Sequence, residues 1–169
     1  MAMQHSQRDE QIAHKINYRG GSSVEQLASE ILDQHGKASN SDLFDIVCVL
    51  EVIEHSSDPA SLLSGASSLL KRPTDTCPGG ILFVSTINKT AKSFAFAILG
   101  AEYITGMLPI GTHSWNQFFS PNDVRNLVRD QGLSEIDVCG MVLRPGFQLD
   151  FKLDENDTDV NWIAAYARK

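Results

Sequence analysis

Apolar and polar positions follow two rhythms along this chain. Ile46 to Leu50 is an unbroken apolar run with β-branched members, short enough to be a strand buried on both faces, as in parallel sheets. Ile81 to Thr86, four apolar residues followed by two hydroxyls, reads as a second buried strand. Between them Asp58-Pro59 opens a helix, an N-cap acid followed by proline at the first helical position. Leu62, Leu63, Ala66, Leu69 and Leu70 then recur at helical spacing until Pro73 stops the helix. Strand, helix and strand over about forty residues predict a βαβ unit, with parallel strands and a right-handed crossover.

The same reading extends to both ends of the chain. Residues 1–15 are polar with weak helical periodicity and read as the end of a helix or a frayed arm. Ile16-Asn17-Tyr18 predicts a short strand closed by Gly20-Gly21. Ser22 or Ser23 then caps a helix whose Val24, Leu27, Ala28, Ile31 and Leu32 form one stripe, ending near His35-Gly36. Downstream, Ser120-Pro121-Asn122-Asp123 starts a further capped helix with Val124, Leu127 and Val128 inward. Leu133 to Leu143 and Val160 to Ala167 read as two terminal strands, antiparallel, with a polar, acidic loop between them. The most apolar window, 93–110, contains Glu102 and two glycines. It is too interrupted for a membrane span and reads as an interfacial helix or a lid over an apolar substrate, with a core helix as the plain alternative.

Polar chemistry begins where the first apolar run stops. Glu51, Glu54 and His55 follow within five residues. A turn-like or helical path would place the carboxylates (i, i+3) and the carboxylate–imidazole pair (i, i+4) on one side. Two hard oxygen donors and an imidazole suit Mg²⁺, Mn²⁺ or Fe²⁺ better than a structural zinc site. The plain alternative is a solvated face, where Glu and His are common; what favours a site is the location, since open α/β sheets bind ligands at the carboxyl ends of their strands. Thr86 to Thr90 leaves the second strand at the same end and should line the same crevice. His113, in a turn beside Trp115, is a candidate general base or substrate contact; the structural alternative is a histidine bonded to its own loop. No G-x-G-x-x-G follows a strand anywhere in these residues.

Composition narrows the classes. With 169 residues, 42% hydrophobic and 21% charged, the chain suits one globular domain. A net charge of −7 with scattered basic residues gives no footprint for nucleic acid. Cys48, Cys77 and Cys139 lie far apart without C-x-x-C spacing, which argues against a zinc knuckle or disulfide framework. The first ten residues read as neither a secretory signal nor a mitochondrial presequence.

Residues 44–59, Pro78-Gly79-Gly80, Ser85-Thr86-Ile87-Asn88, Gly100-Ala101-Glu102-Tyr103 and Gly111-Thr112-His113 together resemble the ubiquinone-biosynthesis O-methyltransferases, from about residue 16 to the C-terminus. These enzymes use S-adenosylmethionine to methylate polyprenyl catechol intermediates. The resemblance implies an α/β fold, the Rossmann-like sheet of class I methyltransferases, ending in an antiparallel strand pair. It places a Mg²⁺ or other divalent ion on Glu51, Glu54 and His55, and a cofactor contact near the adenosine on Leu50. An apolar insertion at about 90–113 would meet membrane or prenyl tail, and His113 would take up a proton. Peripheral membrane contact and a ubiquinone-biosynthesis complex are the expected partners. The expected place is the matrix side of the mitochondrial inner membrane in a eukaryote, or the cytoplasmic membrane face in a bacterium.

Family members open with a strand, a glycine-rich cofactor loop, a helix and a second strand that would all precede Met1. The chain is therefore expected to be a single partial domain, 1–169, lacking its first strands and exposing a hydrophobic strand edge. Two other classes stay open. One is a non-catalytic truncated variant acting as a membrane or protein-interaction module, favoured by the missing glycine loop. The other is a metal-dependent hydrolase built on Glu51, Glu54 and His55, disfavoured by the lack of a further His or Asp cluster.

Overall fold

A computed structural model describes residues 15–32, 38–95, 115–144 and 150–168. Their elements are α1 (Val24–Ile31), β1 (Ile46–Leu50), α2 (Pro59–Ser68), β2 (Ile81–Ile87), α3 (Pro121–Arg129), β3 (Leu133–Arg144), β4 (Asp150–Asp154) and β5 (Asn161–Arg168). The strands form one mixed sheet in the order β1-β2-β5-β3-β4. β1 and β2 run parallel with Ile46 opposite Ile81, as expected of a strand–helix–strand unit. β5 is antiparallel to both β2 and β3.

The helix starts follow from local chemistry. Ser23 accepts the Gln26 N–H, and the Gln26 side chain returns the bond to the Ser23 N–H. Ser120 and Asp123 repeat this reciprocal cap at α3, with Pro121 first in the helix. Asp58 accepts the Ser61 N–H at 2.9 Å ahead of Pro59. At the other end of α2, the Arg168 guanidinium donates to the Ser67 and Leu70 carbonyls. The last strand thus satisfies acceptors that the helix leaves open, with a cation at its negative end.

α2 and α3 cover one face of the sheet, and α1 packs on α2. The core between them holds Val49, Ile53, Leu63, Leu70, Leu82, Val84, Val124, Val128, Trp162 and Tyr166. The Tyr166 hydroxyl is buried there with no hydrogen-bond partner among the described residues, and burial pushes its ionisation well above the usual phenol range. An orphaned buried hydroxyl is unfavourable. Tyr166→Phe is therefore expected to raise unfolding free energy by about 1 kcal/mol, read as a higher urea midpoint at unchanged slope.

Four expectations change. β1 is not buried on both faces: Val49 is buried and Val47 half-buried, whereas Ile46, Cys48 and Leu50 are exposed, Ile46 at 57%. The apolar run fits a strand, but the described helices pack on one side only. β1 also pairs with β2 alone among the described strands, so its open edge is the one expected. Ile16-Asn17-Tyr18 forms no strand, since no described strand offers it a ladder and a lone strand leaves its polar backbone unpaired. The stretch between the terminal strands contains β4, paired antiparallel to β3 from Arg144↔Asp150 to Gly140↔Asp154; Phe151 and Leu153 alternating with acids and a lysine are the period-2 signal under its charge. α1 ends at Ile31 with extended Leu32 as its C-cap, short of His35-Gly36, which lies outside the described residues. Residues 1–14 and 96–114 lie outside them too. Among the described residues, no helix is long and apolar enough to cross a membrane.

Candidate active site

The chain turns sharply where β1 ends. Glu51 has φ of 52°, a left-handed conformation that a residue with a β-carbon adopts only when its surroundings impose it. Val52 follows, then one turn of 3₁₀ helix, Ile53–His55, anchored by fully buried Ile53. The left-handed residue interrupts the helical path on which positions i, i+3 and i+4 would align. Glu51 is therefore carried to a different support from Glu54 and His55.

β2 supplies both supports. The Glu51 N–H donates to the Ser85 carbonyl at 3.0 Å. Its carboxylate accepts from Ser85 Oγ at 2.7 Å and from Asn161 Nδ2 at 3.3 Å. Glu54 is only 3% exposed and accepts from Thr86 Oγ1 at 2.6 Å. The other Glu54 oxygen lies 4.0 Å from His55 Nε2, and that imidazole is half open to solvent. Ser85 and Thr86 are consecutive in a strand, so their side chains leave opposite faces. Glu51 is held towards the face that α2 and α3 leave uncovered, Glu54 towards the covered one. Leu50, the position nearest a cofactor by resemblance, pairs with Ser85 in the ladder and is exposed.

Two of the three candidate ligands, Glu54 and His55, thus stand together, while Glu51 is turned to Ser85 and Asn161. Among the described residues, no three of His, Cys, Asp and Glu gather to hold a metal ion. The donor chemistry nevertheless suits a hard divalent cation. A buried carboxylate with one oxygen already bonded and the other beside an imidazole is an environment that a cation would stabilise.

The segment leaving β2 takes a different course from the one its sequence suggests. Thr86 reaches Glu54, but buried Asn88 donates to the Thr158 carbonyl, and Thr90 donates to that of Asp159. Lys92 bridges Asp157 at 3.1 Å and Asp159 at 3.3 Å. Its ammonium holds the Asp157 carboxyl below the usual range, and Asp157 in turn raises Lys92. These bonds clasp the turn after β2 to the loop between β4 and β5. Phe94, inside the apolar window, and Trp115, just beyond it, meet edge to face at 5.5 Å. His113, Gly100 to Tyr103 and Gly111-Thr112 lie outside the described residues.

Sequence reasoning missed Asn161, 110 positions from its partner Glu51, and the Lys92 clasp. No local pattern announces either. Thr86 was expected in the crevice from its place at the end of the second strand, whereas Ser85 was visible only as part of an ordered motif.

The methyltransferase domain family matches residues 4–138. Among individual relatives, a ubiquinone biosynthesis O-methyltransferase from Cereibacter sphaeroides is 40% identical over 131 residues, covering 78% of this chain and 50% of that protein. A protein of the same name from Nitrosospira multiformis is 39% identical over 153 residues, covering 90% and 56%. The chain thus spans about half the length of the curated relatives it matches. Among solved structures, a SAM-dependent methyltransferase from Thermotoga maritima, described as a possible histamine N-methyltransferase, superimposes with a TM-score of 0.54 at 17% identity. It covers 76% of this chain and 57% of that one. The [4+2]-cyclase SpnF superimposes at 0.55 and 13% identity, covering 95% and 60%. Both likenesses lie in the fold, an α/β sheet of the class I methyltransferase kind. With more than half of its length matched at residues 4–138, the chain belongs to the methyltransferase domain family.

Proposed function

We propose that this protein serves as an O-methyltransferase of ubiquinone biosynthesis, moving a methyl group from S-adenosylmethionine to a catechol hydroxyl of a polyprenylated intermediate. The names and identities of its relatives support the reaction class. The observation that carries the site is the buried Glu54 carboxylate beside His55 at the carboxyl end of β1, where open α/β sheets take their ligands. Glu54 and His55 would hold a Mg²⁺ or similar ion, with Glu51, turned to Ser85 and Asn161, joining them only if its side chain leaves those partners; the ion when bound would lower the catechol hydroxyl pKa and orient its oxygen. Ser85 and Asn161 hold Glu51, Thr86 holds Glu54, and Leu50 borders the place for the adenosine. In the transfer the catechol oxygen forms a C–O bond as the C–S bond of the methyl donor breaks, and the hydroxyl proton passes to a base, a role we give His113. The apolar insertion at 90–113 docks the protein at a membrane surface beside the prenyl tail. A ubiquinone-biosynthesis complex at the mitochondrial inner membrane, or at the bacterial cytoplasmic membrane, is its setting.

Glu54→Gln keeps the size of the side chain and removes its charge. In the whole protein it is expected to lower methyl transfer to a prenylated catechol by about 100-fold or more, beyond the loss usual when only a ligand's supporting bond is removed. Stimulation by added Mg²⁺ is expected to disappear with it. Unaltered rate and metal requirement would sink the reading. A second reading, an interaction module without catalysis, draws on the exposed Ile46 and Leu50 beside the open edge of β1; partner or liposome binding without S-adenosylmethionine binding would favour it.

A further inference from the structure

We infer that Thr86 is a positioning residue for the metal ligand Glu54, fixing the orientation in which its carboxylate faces the ion; this rests on the metal site proposed above. Thr86 is fully buried and sits next to the end of β2, paired in the ladder with Trp162 of β5. Two heavy atoms on its β-carbon restrict its side-chain torsion, so strand and rotamer together fix the position of Oγ1. Glu54 arrives from the turn that Ile53 pins into the core. Its Oε2 accepts the Thr86 hydroxyl at 2.6 Å, a short, charge-assisted bond.

A hydroxyl donates one proton, so Thr86 engages one carboxylate oxygen and leaves Oε1 turned to His55 Nε2, 4.0 Å away. The half-exposed imidazole marks the solvent side of the pair and Glu54 the inner side. An ion entering from water meets an oxygen already oriented, at no further cost in side-chain entropy. Without the hydroxyl, the Glu54 carboxylate would still be buried, but its orientation would be unfixed and one oxygen would lose its donor.

The test is Mn²⁺ binding, read from the electron paramagnetic resonance of the free ion, in the whole protein and its Thr86→Val, Thr86→Ser and Glu54→Gln variants, with thermal midpoints measured alongside. Thr86→Val keeps the branched shape and is expected to weaken Mn²⁺ binding by about 10- to 100-fold. Thr86→Ser keeps the hydroxyl and is expected to stay within about threefold of the parent, although loss of a buried methyl lowers its midpoint. Parent-like affinity in Thr86→Val while Glu54→Gln loses the ion would overturn the positioning role and leave the metal site standing. Equal weakening in both Thr86 variants would assign the effect to packing and overturn it as well. Parent-like affinity in Glu54→Gln, or no binding by the parent, would remove the metal site itself and this inference with it.

Discussion

Gly140→Ala is expected to destabilise this protein by about 3 kcal/mol or more, at the upper end of what overpacking costs. A β-carbon at position 140 would lie 1.5 Å from the Asp157 carbonyl oxygen, 2.5 Å from its carbon and 3.1 Å from the Thr158 nitrogen. All three are backbone atoms, so no side-chain rotation relieves the overlap. Gly140 itself cannot retreat, because β3 is paired there on both sides, with Trp162 of β5 and Asp154 of β4. The loop between β4 and β5 has to move instead. That motion would pull Thr158 from Asn88 and Asp157 from Lys92, opening the clasp on the turn after β2. Urea unfolding measures the loss, and hydrogen exchange should rise first in residues 155–160. Gly20→Ala meets nothing within 4 Å and is the matched control, expected within about 0.5 kcal/mol of the parent. A Gly140→Ala protein as stable as this control would mean the loop does not lie across β3 in solution.

The contrast between these two glycines shows where a sequence is legible. Asp58-Pro59, Ser23 with Gln26, and Ser120-Pro121 with Asp123 announce their helices because a cap is a bond between residues three apart. The β1-α2-β2 unit is legible for a similar reason: two apolar runs and a stripe at helical spacing sit in one short stretch. The exposure of Ile46 and Leu50 is not written in their own run, since burial depends on what other segments supply. The failure at Glu51 is more instructive. Spacing puts Glu51, Glu54 and His55 on one side only if the path is helical, and a single left-handed residue removes that condition. Glutamate gives no signal for such a conformation, as glycine would. The bonds from Ser85, Thr86 and Asn161 span 34, 32 and 110 positions, so the candidate residues could be named from sequence while their supports could not. β4 was hidden differently: its charges read as a loop, although Phe151 and Leu153 already carried the strand period.

Trp162→Ala is expected to cost about 3–5 kcal/mol, and its consequences would reach the site. Trp162 is fully buried and stands in the ladder between Thr86 on β2 and Gly140 on β3. Its indole N–H donates to the Phe119 carbonyl at 2.9 Å, while the Phe119 N–H donates to the Ile87 carbonyl. Phe119, in the segment that enters α3, is thus bonded both to β5 through the indole and to the end of β2. Truncation opens a cavity under the sheet and leaves the Phe119 carbonyl without this donor. Trp162→Phe separates these effects, since it keeps a ring and removes the N–H. If volume dominates, Phe should recover most of the stability and retain a deficit of about 1–2 kcal/mol from the lost bond and the smaller ring. If Phe is as damaging as Ala in urea unfolding, the hydrogen bond to Phe119 is what holds α3 to the sheet. Combined with Gly140→Ala, Trp162→Ala should cost less than the sum of the two. The clash at Gly140 depends on β5 holding β3 in place, and a sheet loosened at Trp162 lets the strand yield.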